Sequence, residues 1–186
     1  MKFYHGSDNG NLIKLTVEKS NDGYIYLTPM YPFAVLYAGN STRFWTFDKE
    51  KQKLVIREVC KDSLKKMYKG RKCYIYSTDE ISDYEESEYL GRKTFRTKKD
   101  VVLKEKEVIN DAYDKIMEMY EKGEIILQFW DKLTEEQKQK ERDGVVKKFS
   151  PHMKEFYLKY RKDYDELTNL FPEMSLSKDE IKEIEM

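Results

Sequence analysis

From Lys2 to about Leu103 the chain returns repeatedly to short runs of β-branched and aromatic residues: "KFYH", "LIKLTV", "YIYLT", "RFWTF", "KLVIREV", "KCYIYST" and "TFRTKKDVVL". Runs of this length and type suit a pleated, half-buried surface, and they predict strands. Between them lie clusters such as "SDNGN" and "SNDGY". These favour turns, because Asn and Gly tolerate positive φ and Asp bonds its own backbone. So many short strands joined by turns commit this part of the chain to a sheet. Two helices are expected to interrupt it, over "PFAVLYAG" and "KDSLKKMYKG", each followed by a glycine suited to a helix C-terminus.

After Lys104 the spacing turns helical. Ile109, Tyr113, Ile116 and Tyr120 recur at helical intervals and Gly123 closes that helix. The run "EIILQFW" reads equally as a strand or as a short buried segment. Thr134 is placed to cap a charged helix in "TEEQKQKERDGVVKKF", and Pro151 starts another. On that second helix Met153, Phe156, Tyr160, Tyr164, Leu167 and Phe171 form one apolar stripe. No Pro/Ser-rich linker and no internal repeat is visible. Strand-rich residues 1–104, a helical C-terminal layer over 105–172 and a flexible tail over 173–186 are expected to form one α+β domain.

Charge and cysteine usage narrow the function classes. Of 186 residues 38% are charged, but 35 basic and 35 acidic side chains cancel, so no overall field favours nucleic acid or an anionic membrane. Local basic stretches such as "RKTFRTKK", with Phe95 interleaved, could still touch phosphates. Cys60 and Cys73 form no CxxC pair, so neither a zinc site nor a disulfide framework is expected. No run approaches the ~20 apolar residues that span a bilayer, and no signal-peptide core follows Met1. A cytoplasmic location without a membrane partner is the expectation.

With only two histidines in the chain, "YHGS" stands out. An imidazole at the end of a strand can bond a sugar hydroxyl, the adjacent Gly6 can offer its backbone to an amide, and Ser7 adds a small hydroxyl. Tyr26 lies in a later strand run and Tyr37 follows eleven residues on, in a predicted helix. Both phenol rings can face one cleft and sandwich a flat heteroaromatic group.

This arrangement resembles the ADP-ribosyltransferase superfamily of the diphtheria-toxin and poly(ADP-ribose) polymerase type, with its His-Tyr-Glu signature. "YHGS" has the form of the family's first strand. In "GYIYLTPMYPFAVLYA" the residues Gly23, Tyr26, Thr28, Ala34 and Tyr37 fall in the family's register. The likeness covers residues 3 to 38 and fades beyond. It implies a split antiparallel sheet, NAD as co-substrate, and transfer of ADP-ribose to a protein or nucleic-acid acceptor; a related NAD-using RNA 2'-phosphotransferase activity also fits. His5 would then bond the adenosine-side ribose, Gly6 the nicotinamide carboxamide, and Tyr26 and Tyr37 would flank the nicotinamide ring. The family's glutamate falls to Glu85, Glu86 or Glu88, of which Glu88 is the choice, or the position is held by Thr94, which carries no charge. With Thr94 there, the chain would bind NAD or another nucleotide weakly, transfer slowly, or be a non-catalytic binding module of the same fold. Ala34 stands where many polymerase-type members carry a carboxamide-binding serine.

Overall fold

The computed structural model describes residues 1–20, 22–39, 44–89 and 92–185. The protein is α+β, with several antiparallel sheets. It divides into two compact units, one of Met1–Ile56 with Tyr68–Leu127 and one of Arg57–Met67 with Gln128–Met186. The first unit opens with β1 (Phe3–Ser7), β2 (Lys14–Leu15), β3 (Ile25–Leu27), α1 (Tyr31–Gly39), β4 (Trp45–Asp48) and β5 (Lys53–Arg57). After α2 (Ser63–Tyr68) come β6 (Cys73–Thr78), β7 (Tyr84–Tyr89), β8 (Arg92–Thr97) and β9 (Val101–Val102). They are followed by β10 (Glu105–Ile109), α3 (Ala112–Glu121) and β11 (Ile126–Gln128). The second unit carries α4 (Glu135–Phe149), α5 (Met153–Lys159), α6 (Arg161–Leu170) and α7 (Lys178–Glu185).

Two of the three-stranded sheets lie wholly within the first unit. In one, β6 lies between β1 and β10; in the other, β8 lies between β3 and β7. Both central strands are largely buried, as strands covered on both faces must be. The sheets meet at one point. Tyr4 N–H donates to the Thr28 carbonyl at 2.8 Å and Thr28 N–H donates to the Tyr4 carbonyl at 3.1 Å, an isolated bridge between β1 and the end of β3. Pro29, which has no N–H, cannot carry the ladder further on one side. On the other side β1 and β3 make no further paired bridge, and a cleft opens between them.

One face of the junction is closed by a core of Phe3, Leu15, Ile25, Leu27, Phe95 and Val101, with Phe3 and Phe95 edge to face at 5.0 Å. Each such large side chain contributes about 1.5–3 kcal/mol when fully buried. The other face holds α1, whose Phe33, Ala34, Val35, Leu36 and Ala38 are all buried, as befits a helix that is apolar all round. Helix α1 lies so close to β1 that a Cβ on Gly6 would stand 2.0 Å from the Ala34 carbonyl oxygen. Gly6 is required here for packing, whatever its chemistry.

Several elements depart from the sequence reading. The acidic "YEESEY", absent from the β-branched and aromatic runs, forms strand β7. Its glutamates are matched by the basic β8: Arg96 pairs with Glu85 at 2.7 Å and Lys93 with Glu86 at 2.6 Å. "TFRTKKDVVL" divides into β8 and β9, and Glu105–Ile109 is strand β10 rather than part of a helix, so Ile109 lies outside α3. "EIILQFW" resolves in favour of a strand, β11. The single helix drawn through Met153 and Phe171 breaks at Tyr160, whose φ of −133° and ψ of 56° leave the helical region. Tyr160 is exposed, and α5 and α6 bury Met153, Tyr164, Leu167 and Leu170 instead. Neither Gly nor Pro marks that break. Beyond Pro172 the chain turns through a short 3-10 segment into α7. Arg43 of "RFWTF", and Leu90 and Gly91 between β7 and β8, lie outside the described residues.

Candidate functional site

A cleft of about 640 Å³ opens where β1 and β3 part, and it lies wholly within the first unit. It is lined by His5 and Gly6 of β1, Tyr26 of β3, Ala34 and Tyr37 of α1, and Glu88 and Thr94 of β7 and β8. Residues far apart in the chain and named from the sequence thus meet in one place. Ser7 does not line it; its Oγ accepts from the Asn9 N–H at 3.1 Å and fixes the turn after β1.

Strand alternation sets what the cleft is offered. The backbone of Tyr4 bonds toward β3, so two residues on, Gly6 points its N–H and C=O the same way, into the space β3 has vacated. By the same alternation the Tyr26 backbone, two residues before Thr28, faces the cleft from the other side. The neighbouring Tyr26 backbone favours the protonated His5 ring. Burial outweighs this and holds the His5 pKa below the ordinary histidine value. His5 is therefore held toward the neutral imidazole, which keeps one acceptor nitrogen.

Tyr26 and Tyr37 share the face of the sheet that α1 covers. Tyr26 is 47% exposed, and its hydroxyl donates to Asp22 Oδ2 at 2.5 Å, which raises the phenol pKa and keeps it protonated. Opposite Tyr26 on β8 stands Arg96, whose guanidinium lies 4.2 Å over the Tyr24 ring.

The floor between them is neutral. Ser87 and Thr94 face each other across β7 and β8 and share a 2.7 Å hydrogen bond, and Thr94 is buried. Glu88, the next residue on β7, steps to the other face of the strand by alternation and reaches the cleft at its rim. Its carboxylate is 66% exposed and sits 3.5 Å from Lys49 Nζ.

One charged lining residue was not anticipated. Arg92 opens β8 at 8% exposure, its guanidinium 4.0 Å over the Phe33 ring, 5.4 Å from Trp45 and 5.9 Å from Tyr37. The signal was available: in "RKTFRTKK" Arg92 lies two residues before Thr94 and so on the same strand face. A second, smaller cleft of about 360 Å³ shares His5 and Tyr26 with the first and adds Lys14, Thr16, Lys19 and Tyr24. The Thr16 hydroxyl there is buried without a hydrogen-bond partner.

Among the described residues no group of three or more His, Cys, Asp or Glu side chains is placed to hold a metal ion. Among them, too, no helix is long and apolar enough to cross a membrane. No protein-family model, curated protein or solved structure matches the chain.

Proposed function

We propose that the cleft binds NAD and that the chain is an NAD-dependent ADP-ribosyltransferase acting on a macromolecular acceptor. The observation that carries this reading is the convergence of His5, Gly6, Tyr26, Tyr37 and Glu88 on one cleft at the split between two sheets. Gly6 turns both halves of its peptide edge toward that space, which suits a primary carboxamide with one donor and one acceptor. The tyrosine rings lie on the same face, suited to a flat pyridine ring. The neutral His5 keeps an acceptor nitrogen for a ribose hydroxyl. The smaller cleft beyond His5 and Tyr26, with Lys14, Lys19 and the unpartnered Thr16 hydroxyl, suits the phosphate-bearing remainder of a dinucleotide.

In the reaction the bond between nicotinamide and ribose C1' breaks and its electron pair leaves with nicotinamide, which becomes neutral. Positive charge passes to the ribose. Glu88 at the rim is the carboxylate that would steady that charge and orient the ribose hydroxyl. The acceptor nucleophile then bonds to C1'.

Incubation with NAD labelled in the nicotinamide ring tests this. Release of labelled nicotinamide is expected, falling about 10²-fold in Glu88→Gln, the scale of losing one electrostatic contact to a transition state. His5→Ala and Tyr26→Ala should lower it further. A folded preparation that releases none, and whose melting temperature does not rise in millimolar NAD, overturns the reading, since any ligand of the native state stabilises it.

A second reading rests on the Ser87–Thr94 floor. An uncharged pair stands on the face beside Tyr26, while Glu88 is exposed and ion-paired to Lys49. On this reading the cleft binds a nucleotide without cleaving it; NAD-dependent stabilisation without nicotinamide release distinguishes it.

A further inference from the structure

We propose that the second unit binds single-stranded nucleic acid along the segment from Lys147 to Lys162. The inference is independent of the cleft in the first unit and holds whatever that cleft takes. Charge cancels over the whole chain but not here: Lys147, Lys148, Lys154, Lys159, Arg161 and Lys162 stand against one acidic residue, Glu155. A local field of this kind attracts a phosphate backbone even where the net charge of the molecule is zero.

Interleaved with these cations is a row of rings. Phe149, at the end of α4, has its ring centre 6.2 Å from that of Phe156 on α5; His152 lies 6.1 Å from Phe156, and Tyr160 lies 6.3 Å from it. Lys148 Nζ stands 4.9 Å over the Phe149 ring. A stripe that served only the core would be buried along its length. Met153, Tyr164 and Leu167 are buried in that way, whereas Tyr160 is 49% exposed, His152 is exposed, and Phe149 and Phe156 are half-buried. Rings held partly in the surface and bordered by cations can stack on unpaired bases while the phosphates are bound beside them.

The acidic groups nearby engage these cations weakly. Glu155 stands 3.5 Å from Lys159, Asp165 3.1 Å from Arg161, and Glu180 of α7 3.9 Å from Lys154, all with exposed side chains. Glu185 of α7 accepts from the Tyr157 hydroxyl at 2.8 Å. Exposed ion pairs of this kind contribute little and exchange readily for a phosphate. The rings decide which polyanion fits. A duplex keeps its base faces stacked on one another and an acidic peptide has none, so neither uses the row. A helix that lies in a bilayer surface presents one continuous apolar face. This segment instead bends through the 3-10 turn Ser150–His152, leaves the helical region at Tyr160 and buries Met153.

The test titrates the full chain into fluorescent oligothymidylate and oligouridylate of about 20 nucleotides, long enough for one site, and reads anisotropy. The matching duplex, polyglutamate and phosphatidylserine vesicles serve as comparisons, all at about 50 mM salt. Binding of either single strand is expected at least about 5-fold tighter than of any comparison, the scale of one stacked base, and the ratio of the two strands distinguishes DNA from RNA. Tyr160→Ala should weaken binding about 5-fold or more, whereas Tyr160→Phe, which keeps the ring, should not. Lys148→Gln combined with Lys159→Gln should weaken both strands alike and reduce the slope of log affinity against log salt by about 1.4, two contacts at about 0.7 each. The proposal is overturned if about 100 µM chain binds neither strand. It is equally overturned if duplex, polyglutamate or vesicles bind as tightly, or if Tyr160→Ala binds as wild type does. Should Tyr160→Ala fail to melt cooperatively, His152→Ala and the paired lysine variant carry the comparison, and binding unchanged in both overturns the proposal. Nicotinamide release is read in a separate assay, so the transferase reading and this one fail or stand independently.

Discussion

At the scale of the residue, His5 and Gly6 each do two things. Burial lowers the His5 pKa, so the folded protein binds its proton less readily than the unfolded chain does. The sign follows: stability from this group is complete above the ordinary histidine value of about 6.5 and declines as pH falls through it toward the lower folded value. Melting temperatures measured between pH 7.5 and 5 should therefore fall toward acid, and His5→Gln should flatten that slope. Gly6 is held by geometry. In Gly6→Ala the added methyl group meets the Ala34 backbone oxygen, not a side chain that can turn away. A loss of about 3 kcal/mol is expected in urea unfolding, at the upper end of overpacking costs. The sequence showed His5, Gly6, Tyr26 and Tyr37 as a set, because their spacing is local to two strand–turn segments. It did not show Arg92 as part of the site, because the rings that surround it, Phe33, Trp45 and Tyr37, come from other elements.

At the scale of the element, legibility depended on whether a segment carried its own punctuation. Helix α4 did. Thr134 Oγ accepts from the Gln137 N–H at 3.2 Å and the Gln137 side chain accepts from the Thr134 N–H at 2.9 Å, a complete capping box. Since α4 buries Val145 and little else, its first turn depends on that box. Thr134→Ala should cost about 1 kcal/mol, read as reduced helicity and a lower unfolding midpoint. Strand β7 carried no such mark. "YEESEY" looks solvated from its charges alone, and becomes a strand because β8 presents Lys93 and Arg96 opposite them. The break at Tyr160 was hidden for a related reason: the apolar repeat runs straight through it.

At the scale of the whole molecule, the strand-then-helix order was readable, whereas the division into two compact units was not. The boundary falls inside segments that look alike on either side, since Arg57–Met67 belongs with Gln128–Met186 and the residues on either side of that short segment do not. Hydrogen exchange with and without saturating ADP-ribose should show this. Added protection is expected in β1, β3, the start of α1 and β8, whose residues line the cleft, and little change in α4 to α7. Protection concentrated in the second unit would place the ligand elsewhere.

The bridge between Tyr4 and Thr28 has a consequence for which side chains the cleft is offered. Side chains along a strand change face at every residue, so a slip of one position at this bridge would turn Tyr26 away from α1 and present Ile25 or Leu27 instead. It would also point the Gly6 peptide edge at a different partner. Two hydrogen bonds therefore fix the register of β1 against β3, and one residue inserted between Tyr26 and Thr28 would turn Tyr26 out of the cleft and Ile25 out of the core together.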